Sequence, residues 1–317
     1  MPEQWAAKVA ELRALATTNP SPSLGQYLDA SELDLDDVYG GGRSWSDLQV
    51  DAGLPTRPAG AHEEVVRRAI GRLLHVDDRV RIDGYRRLLG ATAPSELQDL
   101  GERNRRLLRM LVASLLEKAV DKTMSIAEGA AVLLAHPQVC AEVRELLDVL
   151  AGRIQHVAVP LEDDTVPLQV HARYTRREIL AAFGIGQGAK VAPWQTGVYW
   201  AKEARADLLA FTLDKTSGQF SPTTRYRDHA ISRDLIHWES QSVTRADSET
   251  GRRYQEHVRR GSRVMLFARL RADERAFYFL GPASYVSHEG ELPMAITWRL
   301  ARPLPGDLYA SFAAAVA

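Results

Sequence analysis

The chain has 317 residues, a formal net charge of −1, 45% hydrophobic and 26% charged residues, and a single cysteine, Cys140. This composition is ordinary for a globular protein, and the length allows two domains that each bury a core. One cysteine excludes an internal disulfide and a cysteine-based zinc site, and the small net charge argues against a general polyanion binder. No apolar run could cross a bilayer, and MPEQWAAKVAELRAL lacks a signal-peptide pattern, so we expect a cytoplasmic protein without a membrane partner.

The first half of the chain has the periodicity of helices. Apolar residues recur at helical spacing in residues 65–74, 107–116 and 139–154. Ser125 and Glu128 form a capping box at the start of SIAEGAAVLLA, a pattern that satisfies the free N–H groups of a first helical turn. We therefore predict a helical domain over residues 1–164 that serves as a scaffold or docking surface.

Within this half, SWSDLQVDAG is typical of the second helix of a small helix-turn-helix unit. A recognition helix that reads DNA would carry arginine or lysine on one face, and this segment has neither. The favoured interpretation is a short packing helix anchored by Trp45.

The pattern changes after residue 164. Residues 166–171 alternate like a strand, Thr175 and Glu178 form a second capping box, and the following helix ends at Gly184. Strands are then predicted over residues 196–201, 207–213, 263–270, 275–280 and 294–300, with a closing helix in YASFAAAVA. The predicted fold class is α+β: a helical half followed by a compact, β-rich, small barrel-like domain over residues 165–317.

Most signatures of catalysis are absent from the sequence. It has no GxxxxGK[ST] loop, so the chain is not itself a helicase motor, and it has neither a GxSxG elbow nor an HExxH helix. GIGQG follows a helix instead of joining a strand to one, which favours a loop over a phosphate-binding turn.

Two segments, SPTTRYRDHAISRDLIHWESQS and FLGPASYVSHEG, concentrate rings, histidines and small polar residues with little apolar periodicity. Aromatic rings can stack an extruded base while polar groups read its edge, and arginine forks can hold the flanking phosphates. The predicted nucleotide-binding residues are Tyr226, His237, Trp238, Gln241, Tyr254, His257, Tyr285, His288 and Glu289. The predicted phosphate-binding residues are Arg225, Arg227, Arg252 and Arg253, although RRYQEHVRR would equally suit a solvated helix. On this hypothesis, Trp238→Ala abolishes binding and leaves the domain folded.

Three alternatives stay open. A metal could bind among His229, His237, His257 and His288 with nearby carboxylates, but the spacings fit no compact ligand pattern, so we expect neither a metal nor another cofactor. A nuclease or other hydrolase could use His237, Glu239, His257, His288 and Glu289 in acid–base chemistry, which leaves the question of an enzyme open. In a structural or partner-docking domain, the rings would mostly belong to the core.

Several motifs resemble one known family. In the first half they are SWSDLQVDAGL, LLHVDD with YRRLL, and VPLQVHARYTRREILAAFG. In the second half they are FTLDK, FSPTTRYRDHAIS, HWESQS, Tyr254 and His257 with Gly261, LFAR, FLGP and SHEG. The chain resembles the domain of unknown function that follows the helicase core in bacterial DEAD/DEAH-type helicases with an N-terminal phospholipase-D-like nuclease module.

The resemblance implies a place in DNA repair, restriction or phage defence. It implies DNA as the ligand, a helicase or nuclease as the partner, and a substrate-recognition role that could include a modified or flipped base. The chain departs from the family's usual arrangement because it carries no motor, so the resemblance supports no ATP-driven activity here.

Overall fold

A computed structural model describes residues 2–57, 60, 63–116, 123–214 and 228–316. The chain divides into two compact units, one made of residues 1–155 and 180–192 and the other of residues 156–179 and 193–317. The domain boundary predicted between residues 164 and 165 stays a prediction. Among the described residues, every helix is too short or too polar to cross a lipid bilayer.

The N-terminal unit is helical, as predicted. Its α-helices are α1 (Pro2–Thr18), α2 (Leu24–Ser31), α3 (Leu35–Tyr39), α4 (Trp45–Ala52), α5 (Glu63–Arg67), α6 (Arg79–Leu89), α7 (Glu102–Leu115), α8 (Ile126–Leu134) and α9 (Pro137–Gly152). Short 3-10 turns occur at Gly40–Gly42, Ile70–Leu73 and Pro94–Leu97. The predicted capping box is confirmed: the Ser125 N–H donates to the Glu128 carboxylate at 2.7 Å, and the Glu128 N–H donates to Ser125 Oγ at 3.1 Å.

Helix α4 confirms the packing interpretation of SWSDLQVDAG. Trp45 is fully buried, with its ring 5.2 Å from the ring of Tyr27. The carboxylate of Glu142, from α9, accepts the backbone N–H groups of Trp45 at 2.9 Å and Ser46 at 3.0 Å. N–H groups in the first turn of a helix have no acceptor within that helix, and here Glu142 accepts them from α9. Burial raises the pKa of Glu142 to about 7.

The C-terminal unit contains all ten described strands, so the α+β class is confirmed. The strands are β1 (Val159–Pro160), β2 (Gln169–Val170), β3 (Arg173–Thr175), β4 (Val198–Ala201), β5 (Ala206–Asp214), β6 (His229–Ala230), β7 (Leu235–Glu239), β8 (Arg263–Arg271), β9 (Ala276–Glu289) and β10 (Ala295–Leu300). Helix α10 (Arg176–Ala182) follows β3, α11 (Glu249–Glu256) precedes β8, and α12 (Gly306–Val316) follows the last strand. The sequence predicted neither β6 nor β7, and it ended β9 nine residues too early.

The large sheet has the order β4-β5-β8-β9-β10-β7-β6, and β3 also pairs with β9. The β5–β8 pair is parallel, and the other neighbouring pairs are antiparallel. Among the described strands, β4 and β6 end this path and do not pair with each other. The pairing therefore does not close into the barrel-like ring that we expected.

Strand β9 organises the sheet because it pairs with three strands. Its first part lies beside β3 and β8, and its last part lies beside β10. The register with β8 shifts between Leu266 and Phe267, opposite Gly281, whose φ is 92°. A side chain at Gly281 would also approach Val170 to 3.1 Å, so this bulge requires glycine.

One face of this sheet builds the core of the C-terminal unit. Strands β7 and β10 alternate strictly, with Ile236, Trp238, Ile296 and Trp298 turned inward against the core. Helix α12 adds Phe312 to the same core. The residues between them on β7 and β10 must therefore point to the opposite face, because successive strand side chains alternate. That opposite face holds the candidate site.

A buried histidine lies in the turn between β2 and β3. The Ala172 N–H donates to the Gln169 carbonyl at 3.2 Å, and His171 has a φ of 75°, the left-handed conformation of a type II turn. His171 is 5% exposed. Burial, and secondarily the nearby His156, lower its pKa to about 4.

This histidine makes folding sensitive to acid. An unfolded histidine takes up a proton near pH 6.5, whereas buried His171 does so only near pH 4. Its contribution to the free energy of unfolding is thus complete above about pH 6.5 and falls by about 3 kcal/mol as the pH drops to about 4. His171→Asn places a residue that tolerates the left-handed conformation and has no titrating group. The variant should therefore lack this fall in the free energy of unfolding. Urea unfolding of both proteins across this range checks the expectation, and parallel pH profiles would contradict it.

Candidate functional site

The predicted stacking rings lie mostly in the core. Trp238 is 3% exposed and Tyr254 is 1% exposed. Their rings meet edge to face at 5.6 Å, and Trp298 packs 6.4 Å from Trp238 and 6.1 Å from Tyr254. This is the packing anticipated by the alternative in which the rings form the core. Tyr226, Arg225 and Arg227 lie outside the described residues.

His257 links two elements of the fold. Its Nε2 accepts the Tyr285 backbone N–H at 3.2 Å, so the ring proton must lie on Nδ1, which faces the Ser262 carbonyl at 3.4 Å. Burial lowers the pKa of His257, which favours this neutral tautomer. The predicted nucleotide contact of His257 stays a prediction, and it would have to replace one of these bonds.

Tyr285 and His288 also lie on the core side of β9. Tyr285 stands opposite Trp298 and His288 opposite Ile296, both of which point inward. The Tyr285 hydroxyl and His288 Nδ1 are 2.6 Å apart, and burial raises the pKa of the tyrosine. These two polar groups therefore satisfy each other beside the core.

The segment RRYQEHVRR, which begins in α11, pairs most of its arginines with carboxylates of the same unit. Arg253 binds buried Asp207 through two N–H groups, at 2.7 and 2.9 Å, and lies 4.2 Å from the Trp200 ring. Arg260 pairs with Glu256 at 2.9 Å and with Glu249 at 2.7 Å. These pairs fit the solvated-helix alternative. A phosphate contact by Arg253 stays a prediction and would compete with Asp207.

Two further residues with a predicted contact to the ligand, Arg252 and Gln241, differ in exposure. Arg252 is exposed, and no described carboxylate pairs with it. Gln241 is half-buried, and its carbonyl accepts the Thr244 N–H at 2.9 Å. Neither residue belongs to the aromatic core.

The polar side chains of β6, β7, β9 and β10 converge on the opposite face of the sheet. In one row across these strands, His229 pairs with His237, His237 with Thr297, and Thr297 with Ser287. In the next row Ala295 stands between Glu239 and Glu289. We name the surface made of these polar residues the histidine face; its members are His229, His237, Glu239, Ser287, Glu289 and Thr297.

The geometry of the histidine face suits contact with a flat, polar ligand. The His229 and His237 rings stack at 4.8 Å with 27° between their planes. The side chains of His237 and Glu239 are 22% and 19% exposed. Glu239 and Glu289 both pair with Ala295, so their backbones lie two strand spacings apart, about 10 Å. Carboxylates and hydroxyls thus lie on the same rows of the sheet as the two imidazoles.

Electrostatics keep His237 neutral near pH 7. Burial, followed by the adjacent His229, lowers its pKa, and Glu239 and Glu289 oppose that shift. His237 Nε2 lies 4.0 Å from the Glu239 carboxylate, which is too long for a hydrogen bond. Among the described residues, no group of three or more His, Cys, Asp or Glu side chains is arranged to hold a metal ion.

Sequence reasoning identified only part of this surface. The sequence predicts His237 and Glu289 to bind nucleotide, and it includes Glu239 in the hydrolase and metal-site alternatives and His229 in the metal-site alternative. Ser287 and Thr297 were not singled out. The alternation of His237 and Glu239 around Trp238 is a strand signal that could have been read directly. Their neighbours on β6, β9 and β10 depend on long-range pairing, which a single sequence does not carry.

Comparison with known proteins gives one family match, and the matched residues include the histidine face. Residues 168–312 match the model of a family described as a domain of unknown function, DUF3427. The chain is thus similar to this family over a segment that contains every residue of the histidine face. No curated protein matches the chain.

The burial of Trp238 changes the expected effect of its removal. Trp238→Ala should lower the free energy of unfolding by about 3–5 kcal/mol, because it leaves a cavity beside Tyr254 and Trp298. Trp238→Phe keeps a ring there and should lose less. Thermal unfolding and near-ultraviolet circular dichroism measure both variants. An unchanged melting temperature for Trp238→Ala would contradict the core role of this ring.

Proposed function

We propose that the C-terminal unit is a DNA-recognition module that holds an unpaired nucleotide, including a modified or flipped one, against the histidine face. The observation that carries this proposal is the convergence of two stacked imidazoles, two carboxylates and two hydroxyls on one partly exposed sheet face. The core on the other side of the sheet accounts for the inward side chains, and the outward ones do not belong to it.

The chemistry of the face matches a nucleobase better than a phosphate. Imidazole rings can stack on a base, and carboxylates accept hydrogen bonds from exocyclic amino groups. The cation of β10 on this side, Arg299, is paired with Asp234 at 3.2 Å. Phosphate groups would therefore be held outside the histidine face, and a base would be read on it.

The wider role follows from the resemblance of the motifs to a helicase-associated domain. We propose that the module selects a substrate for a helicase or nuclease partner in DNA repair, restriction or phage defence. The match to a domain of unknown function supports the family relationship over residues 168–312. The helicase partner is part of the proposal.

A hydrolase is the second candidate, and the His237–Glu239 pair is what favours it. A neutral imidazole near a carboxylate can act as a general base. Their separation of 4.0 Å leaves the imidazole unoriented by the carboxylate, so binding is the better-supported role. Incubation of labelled DNA and RNA with divalent ions tests this alternative. If the wild type cleaves either nucleic acid and His237→Gln does not, the hydrolase replaces the recognition module as the proposed function.

Binding should respond to pH through His237. A protonated imidazole attracts a polyanion, and the lowered pKa of His237 places its protonation below the ordinary histidine range near pH 6.5. Affinity for a labelled single-stranded oligonucleotide should therefore rise several-fold as pH falls from about 7.5 to 5.5. His237→Gln should bind weakly and lose most of this pH dependence. Fluorescence anisotropy measures both.

The control is His75→Gln, which changes a half-buried histidine of the N-terminal unit. It should bind like the wild type at each pH. Circular dichroism verifies that both variants are folded. Equal affinities for the wild type and His237→Gln, or no binding to any single-stranded oligonucleotide, would remove the proposal.

A further inference from the structure

Two arginines share one aromatic ring in the C-terminal unit, away from the histidine face. The guanidinium carbon of Arg269, on β8, lies 4.8 Å from the centre of the Phe277 ring on β9. That of Arg176, at the start of α10, lies 5.4 Å from the same ring. We name Arg176 and Arg269 the arginine pair. Phe277 is 2% exposed, so it supports the pair and offers no open platform for stacking.

The fold holds Arg269 in a fixed direction. Its Nε donates to Thr212 Oγ1 at 2.9 Å, and one terminal nitrogen donates to the Glu274 carbonyl. Both partners are neutral oxygens. In the part of the chain that the structure describes, no carboxylate oxygen lies within salt-bridge distance of Arg269, although Glu274 and Asp273 act on its charge from farther away. The guanidinium thus keeps donors and most of its charge for a ligand.

Arg176 and the neighbouring Trp194 each have a buried N–H group without an acceptor among the described residues. Its guanidinium carbon is 5.5 Å from the centre of the Trp194 ring, and its one described hydrogen bond, to the Gln195 carbonyl, is long at 3.5 Å. Arg176 Nε and Trp194 Nε1 are both buried, and neither has an acceptor among the described residues. Trp194 is 8% exposed. Buried N–H donors without acceptors are rare in proteins, because each one forfeits its hydrogen bond to water.

The charges of the pair add to this need for an acceptor. Burial lowers the pKa of each guanidinium, and the positive charge of Arg269 lowers the pKa of Arg176 further. Two partly buried like charges without a bound carboxylate destabilise the protein unless an anion offsets them. The unsatisfied groups here, Arg176 Nε and Trp194 Nε1, are both donors, and both members of the pair are cations.

We propose that the arginine pair, with Trp194 Nε1, is a binding site for an oxyanion of the phosphate class. Guanidinium forks match the oxygens of phosphate in geometry and charge, and the indole N–H can donate to a further oxygen. The source of the phosphate can be inorganic phosphate or a phosphate group of a nucleic acid, since both present the same oxygens. The site stands on its own contacts and does not require the proposed reading of a base.

The arginine pair and the histidine face involve opposite ends of β9. Phe277 is at the start of that strand and Ser287 near its end, ten residues on, which corresponds to at most about 33 Å. An extended oligonucleotide could therefore reach both, whereas inorganic phosphate occupies the arginine pair alone. This difference lets the failure of one proposal be distinguished from the failure of the other.

The test uses the full chain and inorganic phosphate, with chloride at matched ionic strength as reference. Isothermal titration and thermal shift should show one phosphate site in the wild type. Arg269→Gln and Arg176→Gln should weaken it about tenfold or more, because each removes charged hydrogen bonds. Trp194→Phe, which keeps a ring and removes the N–H, should weaken it less. The matched control is Arg271→Gln, on the same strand, whose exposed side chain already pairs with Asp273.

Arg269→Lys is a second variant in case Arg269→Gln does not fold. It keeps the positive charge but removes the planar guanidinium group, so it should bind phosphate more weakly than the wild type. Competition with a single-stranded oligonucleotide identifies the source. Displacement of the oligonucleotide by phosphate assigns the site to nucleic-acid phosphate, and independent binding assigns it to the free ion. No stabilisation beyond chloride, or full affinity in both Arg269 variants, would overturn the site.

Discussion

The burial of Trp298 against Trp238 and Tyr254 is the interaction on which the C-terminal unit depends. These rings come from β10, β7 and α11, and they meet at 5.6 to 6.4 Å. Because strand side chains alternate, fixing two tryptophans inward fixes their neighbours outward. The aromatic core thereby sets which side chains of β7 and β10 belong to the histidine face. A shift of one residue in the pairing of β7 would turn its polar side chains inward and its apolar ones outward.

The same unit deals with its buried charges in two different ways. Arg253 and Asp207 neutralise each other through a bidentate pair beside Trp200, and this pair ties α11 to β5. Arg176 and Arg269 contact a ring and neutral oxygens instead. The first arrangement is complete within the fold. The second has unused donors, and that contrast is why a ligand is inferred at one and not at the other.

Local signals in the sequence were sufficient for much of the architecture. The capping box at Ser125 and the apolar periodicity placed helices, because both depend on residues three or four positions apart. The strands β5 and β8 were visible as apolar runs, since both of their faces are buried. Strands β6, β7 and the end of β9 were missed because their exposed side carries polar groups that resemble loop composition.

The sequence by itself determined the α+β class, the order of most elements and the residue types available for a site. It could not determine which rings are core. The rings of Trp238 and Tyr254 have the chemistry for base stacking, but their exposure depends on what packs against them. Only the tertiary structure decided that His229 stacks on His237 and that Arg176 and Arg269 share the ring of Phe277. Those neighbours are set by strand order and register, and both result from burying the whole core at once and not from any local pattern.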